Sequence, residues 1–257
     1  MRVILIVLDG LGVGAMPDVE LKRPQDKNAN TLRSIAEGAS SLDIPNLVSL
    51  GLGNILPLPN IPALGAKALA SYGRCQLAYE GADSYLGHQE IMGTIPAVPV
   101  KTLLRDITYE LEAKIKAHGY RVTKPCAVEG ILLVNDAVVI GDNLEADPGQ
   151  NINLTVAMEV IDFEDALKIA QIVRETVKVA RVIVFGGPGL TVSTILEHVQ
   201  SRDNGQIGVD SPALGVYNEN LRVQHLGYGV DPSLQAPQIL QAAGYPVALI
   251  GKMADVI

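Results

Sequence analysis

The chain has 257 residues, 48% of them hydrophobic, 19% charged and only 4% aromatic, with no Trp. That balance excludes a disordered chain, a collagen-like repeat and a small disulfide-stapled scaffold. Twenty Lys and Arg against 28 Asp and Glu give a net charge of −8, which argues against a nucleic-acid partner because phosphates are repelled. A mean hydropathy of +0.25 invites a search for a membrane span. The apolar runs at 2–8, 131–134 and 247–250 are strand-length, however, well short of the roughly 20 residues a spanning helix needs. Asp9 and a glycine-rich turn interrupt the first run, unlike a signal peptide, so the expectation is a cytoplasmic protein with no membrane partner. Cys75 and Cys126 form no C-x-x-C pair and have no zinc spacing, which reads as two unrelated thiols in a reducing compartment.

Length allows one large domain or two modest ones. Residues 2–8 predict a buried strand of the parallel type, closed by Asp9-Gly10. Short helices are expected over Thr31–Gly38 and residues 44–52, the second with Pro45 near its start. The Pro- and Gly-rich stretch 53–63 predicts a loop, 66–72 a strand, and 79–93 a polar segment. After Pro96 and Pro99, residues Leu103, Leu104, Ile107, Leu111 and Ile115 recur at helical spacing, with Gly119 as the stop. Residues 131–140 read as a hairpin or two short strands around Asn135-Asp136. Asp162 is placed to cap a helix over 163–180, with Asp165 as an imperfect capping box. A strand at 181–185, a helix at 232–244 and an apolar strand at 247–250 follow. Stretches with linker composition near 96–99 and 227–232 divide the chain into a core, residues 1–97 and 229–257, around an inserted α+β domain, 98–228. The fold class expected is α/β.

Two segments carry groups suited to chemistry. The first is Asp9-Gly10-Leu11-Gly12-Val13-Gly14, a carboxylate at the end of a strand followed by glycines. Such a group suits a hard divalent cation; the simpler reading is a turn in which Asp9 bonds nearby amides. Gly10, Gly12 and Ala15 also satisfy the G-x-G-x-x-A spacing of a dinucleotide site. Against that reading, Asp9 would crowd a pyrophosphate, Pro17 would break the following helix, and no acidic residue closes a second strand. The second segment is Gly81-Ala82-Asp83-Ser84-Tyr85-Leu86-Gly87-His88-Gln89-Glu90. A serine among small, turn-forming residues can present its hydroxyl as a nucleophile if a base or metal activates it, and His88 lies one helical turn on. The simpler reading is a helix cap made by Asp83 or Ser84.

Taken together, Val7-Leu8-Asp9-Gly10-Leu11-Gly12-Val13-Gly14-Ala15 and Gly81 to Gly93 resemble the phosphopentomutases, alkaline-phosphatase-like metalloenzymes. The family pattern has an Asp metal ligand after the first strand, then Gly-Lys-Asp-Thr-x-x-Gly-His-Trp-Glu-Ile-x-Gly. Further echoes are Ala29-Asn30-Thr31-Leu32, Ile44-Pro45-Asn46-Leu47, Leu50-Gly51-Leu52 and Gly251-Lys252-Met253-Ala254-Asp255-Val256. The resemblance implies an alkaline-phosphatase-like core with a mostly parallel sheet, and an inserted cap domain. It makes Asp9 a metal ligand and Ser84, in place of the family's Thr, both a ligand and the phosphorylated nucleophile. Asp83 and His88 support it, Arg181 matches a sugar-phosphate-binding Arg, and two Mn²⁺-type ions serve as cofactors. The reaction implied interconverts pentose 1-phosphate and 5-phosphate through a phosphoserine enzyme and a bisphosphate.

Ala82 and Gln89 depart from the family's Lys and Trp. The family's later Asp and His metal ligands lie beyond the segment that Val256 closes, and His118, His198 and His225 do not match them. The expectation is therefore an impaired mutase whose metal site is completed by a second chain. The alternative is a truncated or split remnant serving as an interaction module.

Overall fold

A computed structural model of the chain describes residues 2–125 and 129–257. Cys126 lies outside the described residues, whereas Cys75 is an exposed free thiol. The chain divides into two compact units, residues 1–82 and 83–257. No helix among the described residues is long and apolar enough to cross a membrane.

The first unit contains four short helices, α1 (Val19–Lys22), α2 (Thr31–Gly38), α3 (Pro45–Ser49) and α4 (Leu52–Ile55). Leu32 and Ala36 of α2 pack with Leu56 and Ile61 into a small core, joined by Leu11, Val13, Ile44 and Val48. The helix expected over 44–52 is split into α3 and α4 because Gly51 takes φ +106°, a left-handed conformation that glycine tolerates and that ends a helix. A side chain at Gly51 would also collide with the Tyr72 ring at 2.6 Å.

Residues 2–8, expected as a strand, carry no strand pairing among the described residues, and Val3 and Ile4 are 82% and 81% exposed. The expected strands at 66–72 and 247–250 are likewise unpaired, the former beginning in a single 3-10 turn at Gly65–Lys67. The physical reason is that an apolar run marks a segment able to be buried on both faces. A strand forms only where a neighbour supplies the ladder hydrogen bonds.

The second unit begins with α5 (Ser84–Ile91) and α6 (Leu104–Ala117), and its centre is a six-stranded sheet. The strands are β1 (Val122–Thr123), β2 (Leu132–Val134), β3 (Val138–Asp142), β4 (Asn151–Val156), β5 (Arg181–Gly186) and β8 (Arg222–Gly227), in that spatial order. Between β5 and β8 come α8 (Val192–Glu197), a two-stranded ribbon of β6 (Val199–Ser201) and β7 (Ile207–Val209), and α9 (Ser211–Leu214). The unit closes with α10 (Ala236–Ala242) and α11 (Lys252–Val256).

The mostly parallel sheet of the expected fold is not what the described residues form. Only β4 and β5 run parallel; every other neighbour in the sheet is antiparallel. Parallel neighbours need a crossover, and α7 (Phe163–Thr176) supplies it between β4 and β5. Elsewhere the chain turns back, as at Asn135-Asp136, whose φ of +50° at both residues gives the tight hairpin between β2 and β3. The whole sheet falls between residues 122 and 227.

Strand periodicity then sorts the side chains. Ile152, Leu154 and Val156 of β4 and Val182 and Val184 of β5 face α6 and α7, with Leu111, Ile115, Ile169 and Val173 in the same core. Asn151 and Asn153, with Arg181, Ile183 and Phe185, occupy the alternate positions on these strands and line a cavity on the other side. Residues 163–180 were expected to be helical throughout, but Val177 is already extended, and the buried Arg174 ties the end of α7 down through Nη2–H to the Val177 carbonyl at 2.6 Å. Asp162 stands at the N-cap without a side-chain cap bond, so the expected capping box does not form.

Asp142, at the end of β3, fixes this unit. Its Oδ1 accepts the Leu104 N–H at 2.8 Å and its Oδ2 the Ile207 N–H at 2.9 Å, joining α6 and β7 to the sheet. Burial pushes its carboxyl above the usual range, against the two N–H donors that favour the charged form. Replacing Asp142 with Asn turns one acceptor into a donor facing a buried N–H. The expected cost is about 1–3 kcal/mol, read as a lower urea midpoint with unchanged slope.

Candidate functional site

Ser84 is the first residue of α5, and Asp83 is its N-cap. Asp83 Oδ1 accepts the Leu86 N–H at 3.1 Å, so the helix-cap reading of this segment is correct. The same carboxylate does more. Its Oδ2 accepts from Arg181 Nε and from Gln150 Nε2, both at 3.0 Å. Asp83 is buried, whereas Ser84 is exposed, and Tyr85 on its other side is buried again. The chain thus anchors both neighbours of the serine and leaves the serine itself presented at a helix N-terminus, where the helix dipole favours negative charge.

Tyr85 supplies the second anchor. Its hydroxyl donates to the His225 carbonyl at 3.3 Å, its ring lies 5.5 Å from the His225 ring, and the Arg181 guanidinium sits 5.7 Å from its centroid. Burial pushes the Tyr85 hydroxyl up to about 12. His88 does reach back one turn to Ser84, but to its main chain: Nδ1–H donates to the Ser84 carbonyl at 2.6 Å. Through this bond the histidine steadies the first turn of α5. Gln89, at the position of the family's Trp, is buried and donates to the Val256 carbonyl while accepting from Gln235 Nε2, which holds α5 to α10 and α11.

Asp9 lies in the first unit, exposed in a turn closed by Leu11 N–H to the Leu8 carbonyl at 3.1 Å. Gly10 at φ +73° makes that turn. The glycine loop is held from behind: the Leu32 N–H donates to the Gly12 carbonyl at 3.2 Å and Asn30 Nδ2 to the Val13 carbonyl at 3.1 Å. Asn30 also caps α2 through the Arg33 N–H. The dinucleotide reading of Gly10, Gly12 and Ala15 is overturned here. That fingerprint needs a strand before it and a helix opening directly after it. Among the described residues there is no strand before the glycines, and the next helix is the four-residue α1 starting at Val19.

Beside Arg181, the polar face of β4, β5 and β8 opens into a cavity of about 330 Å³, lined by Asn143, Glu145, Asn151, Asn153, Ile183, Phe185, Tyr217 and His225 among others. Asn143 Nδ2 donates to Asn153 Oδ1 at 3.1 Å, and the Tyr217 hydroxyl donates to Glu145. Burial, and then that carboxylate, raise the Tyr217 hydroxyl above its ordinary range. The structure therefore brings Asp83, Ser84, His88 and Arg181 into one unit. It adds Gln150, Tyr85 and the asparagines of β4, which sequence reasoning missed. The signal for the last was present in the strict alternation Asn151-Ile152-Asn153-Leu154-Thr155-Val156.

Comparison with known proteins gives the relationship. The chain is 32% identical over 183 residues to the phosphopentomutase of Clostridium kluyveri, covering 68% of this chain and 46% of that protein. It is 34% identical over 209 residues to the phosphopentomutase of Caldanaerobacter subterraneus subsp. tengcongensis, 75% of this chain and 51% of that one.

By sequence, the chain belongs to the phosphopentomutase family.

A stretch of 101 residues reaches 42% identity with the phosphopentomutase of Symbiobacterium thermophilum. No family model matches the chain. The chain spans about half the length of the curated phosphopentomutases it matches.

The metal ions that the family resemblance implies can be tested against the residues present. Among the described residues no group of three or more His, Cys, Asp or Glu side chains could hold a metal ion. Asp9 and Ser84 offer two oxygen-bearing side chains, fewer than two divalent ions require. The described residues do not fit the pair of ions by themselves.

Tyr85 yields a pH prediction. Its neutral form is favoured in the folded state, so the stability it confers is complete below pH 10 and lost as pH rises through about 12. Between those limits the protein should lose about 2 kcal/mol relative to its Tyr85→Phe variant, measured by urea denaturation at each pH.

Proposed function

We propose that this chain carries the nucleophile and the sugar-binding sheet of a phosphopentomutase, and that Ser84 is the group that receives and returns the phosphoryl. The observation that supports this most is the exposed Ser84 at the start of α5, between a buried Asp83 and a buried Tyr85 that are both tied to Arg181. In the reading, phospho-Ser84 gives its phosphoryl group to the free hydroxyl of a pentose monophosphate. The bond from phosphorus to the serine oxygen breaks as the bond to the sugar oxygen forms, and the sugar's proton ends on the serine. The other phosphoryl of the resulting bisphosphate then moves to Ser84, leaving the isomeric monophosphate. The first-turn N–H groups of α5 favour the negative charge that gathers there. Arg181 neutralises Asp83, whose carboxylate would otherwise repel the incoming phosphate.

Residues 98–228 take the part of a cap over an alkaline-phosphatase-like core, excluding water so that transfer is favoured over hydrolysis. The Asp and His ligands that this span lacks come, in this proposal, from polypeptide equivalent to the half of the relatives that the chain does not match. A second reading, an interaction module, is favoured by the apolar side chains that each unit leaves open, Val3 and Ile4 in one and Ile250 in the other, the last 83% exposed.

One experiment addresses both. The chain, alone and mixed with the unmatched half of the Clostridium kluyveri relative, is incubated with Mn²⁺ and a pentose bisphosphate, resolved by size exclusion and weighed intact. The proposal predicts a stable complex and one phosphoryl group on the chain, absent from Ser84→Ala. A complex without phosphate would leave only the interaction module, and an adduct that survives Ser84→Ala would refute the assignment of the nucleophile.

A further inference from the structure

α5 is eight residues long, a little over two turns, and carries Gly87 in its middle. A helix of that length is marginal by itself in water, and a central glycine weakens it further. Its ends must therefore be fixed from outside if Ser84 is to stay at a helix N-terminus. Asp83 fixes the first turn. The last turn is fixed by a second polar group, one that takes no part in the proposed chemistry.

That group is a pair of glutamines. Gln89 and Gln235 are each 1% exposed and stand 146 positions apart. Gln89 uses both ends of its amide: Oε1 accepts from Gln235 Nε2, and Nε2 donates to the Val256 carbonyl of α11. Gln235 is the N-cap residue of α10. One side chain thus joins three helices. Around it the backbones lie close. The Ala236 N–H donates to the Met92 carbonyl at 2.8 Å, and a side chain at Gly93 (φ +109°) would begin 3.1 Å from the Leu234 carbonyl oxygen. The family's Trp could not serve at position 89 in this setting, because an indole donates one hydrogen bond and accepts none. Gln235 Nε2 would lose its acceptor, so the two glutamines work as a set.

We infer that Gln89 and Gln235 are positioning residues for Ser84, coupling α10 and α11 to the first turn of α5. The inference rests on the reading of Ser84 as nucleophile and adds what holds its helix from the far end. Burial makes the coupling strong. Removing either amide leaves a buried group without its partner, which costs more than the bond itself contributes.

The test is native-state hydrogen exchange of the complete chain at increasing urea, for wild type, Gln89→Met and Gln235→Met. The probes in α5 are the Leu86 and Gly87 N–H groups, bonded to the Asp83 side chain and carbonyl at 3.1 and 3.2 Å. Those in α10 are the Ile239 and Ala243 N–H groups, bonded to the Gln235 and Ile239 carbonyls at 3.0 and 3.1 Å. In the wild type the two sets should open together with one urea dependence. Gln235→Met changes nothing in α5 itself, yet Leu86 and Gly87 should exchange about tenfold faster, the size of one buried group left unpaired. Gln89→Met should do the same. Opening of α10 in the wild type while α5 stays protected would overturn the inference, whether or not either variant folds. Faster exchange confined to α10 and α11 in the variants would also overturn it.

A second readout separates the inference from the nucleophile reading. It is the initial rate of phosphoryl gain on the chain mixed with the unmatched half of the Clostridium kluyveri relative, Mn²⁺ and a pentose bisphosphate. A rate about tenfold lower in Gln235→Met is expected. An equal rate beside a loosened α5 would overturn the positioning role. No phosphoryl group on the wild type would refute the nucleophile reading, and the exchange result would still decide the coupling.

Discussion

A single buried carboxylate organises the candidate site. Asp83 spends one oxygen on the Leu86 N–H, which starts α5, and the other on Arg181 and Gln150, which come from β5 and from the residue before β4. The start of the helix and the polar face of the sheet therefore cannot be set independently. A buried ion pair of this kind contributes little net stability compared with apolar residues of similar size, yet losing one partner strands the other charge at a cost of about 3–5 kcal/mol. Its value is positional. Ser84 is exposed because the residues flanking it are not free to move.

The sheet extends the same logic. The alternation of β4 and β5 gives one face to α6 and α7, where Ile152, Leu154, Val182 and Val184 are fully buried. The other face receives Asn151, Asn153 and Arg181 at a cavity. A helix-backed sheet can display polar groups because its opposite face already buries enough apolar surface to fix the strands. Asp142 performs at the far end of β3 what Asp83 performs at α5, accepting two main-chain N–H groups from different elements. Two acids thus replace the longer-range packing that loops alone would not provide.

Local pattern made some of this legible. α2 lies over Thr31–Gly38 as expected, and α6, the β2–β3 hairpin and β5 fall where their apolar patterns place them. Asp83 was legible as a cap, and Ser84 as a serine in a turn-forming segment. What remained hidden depends on partners distant in sequence. The run at 2–8 has the composition of a buried strand, but composition does not supply the neighbouring ladder, and its side chains stand exposed. The direction of the sheet was hidden because it follows from how connections return, which apolar periodicity does not encode. β4 was overlooked because its asparagines dilute the apolar signal, although their spacing of two is itself the mark of a strand with a polar face. The partnership of Asp83 with Arg181 spans 98 positions, and no motif records it.

The most direct test of the account is a double-mutant cycle between Asp83→Asn and Arg181→Gln, with unfolding free energies from urea titration. If the carboxylate couples α5 to the sheet, the two changes should be non-additive, with a coupling of about 2 kcal/mol or more. Additivity to within about 0.5 kcal/mol would mean that Asp83 and Arg181 act separately, and the nucleophile segment would then owe its position to something else.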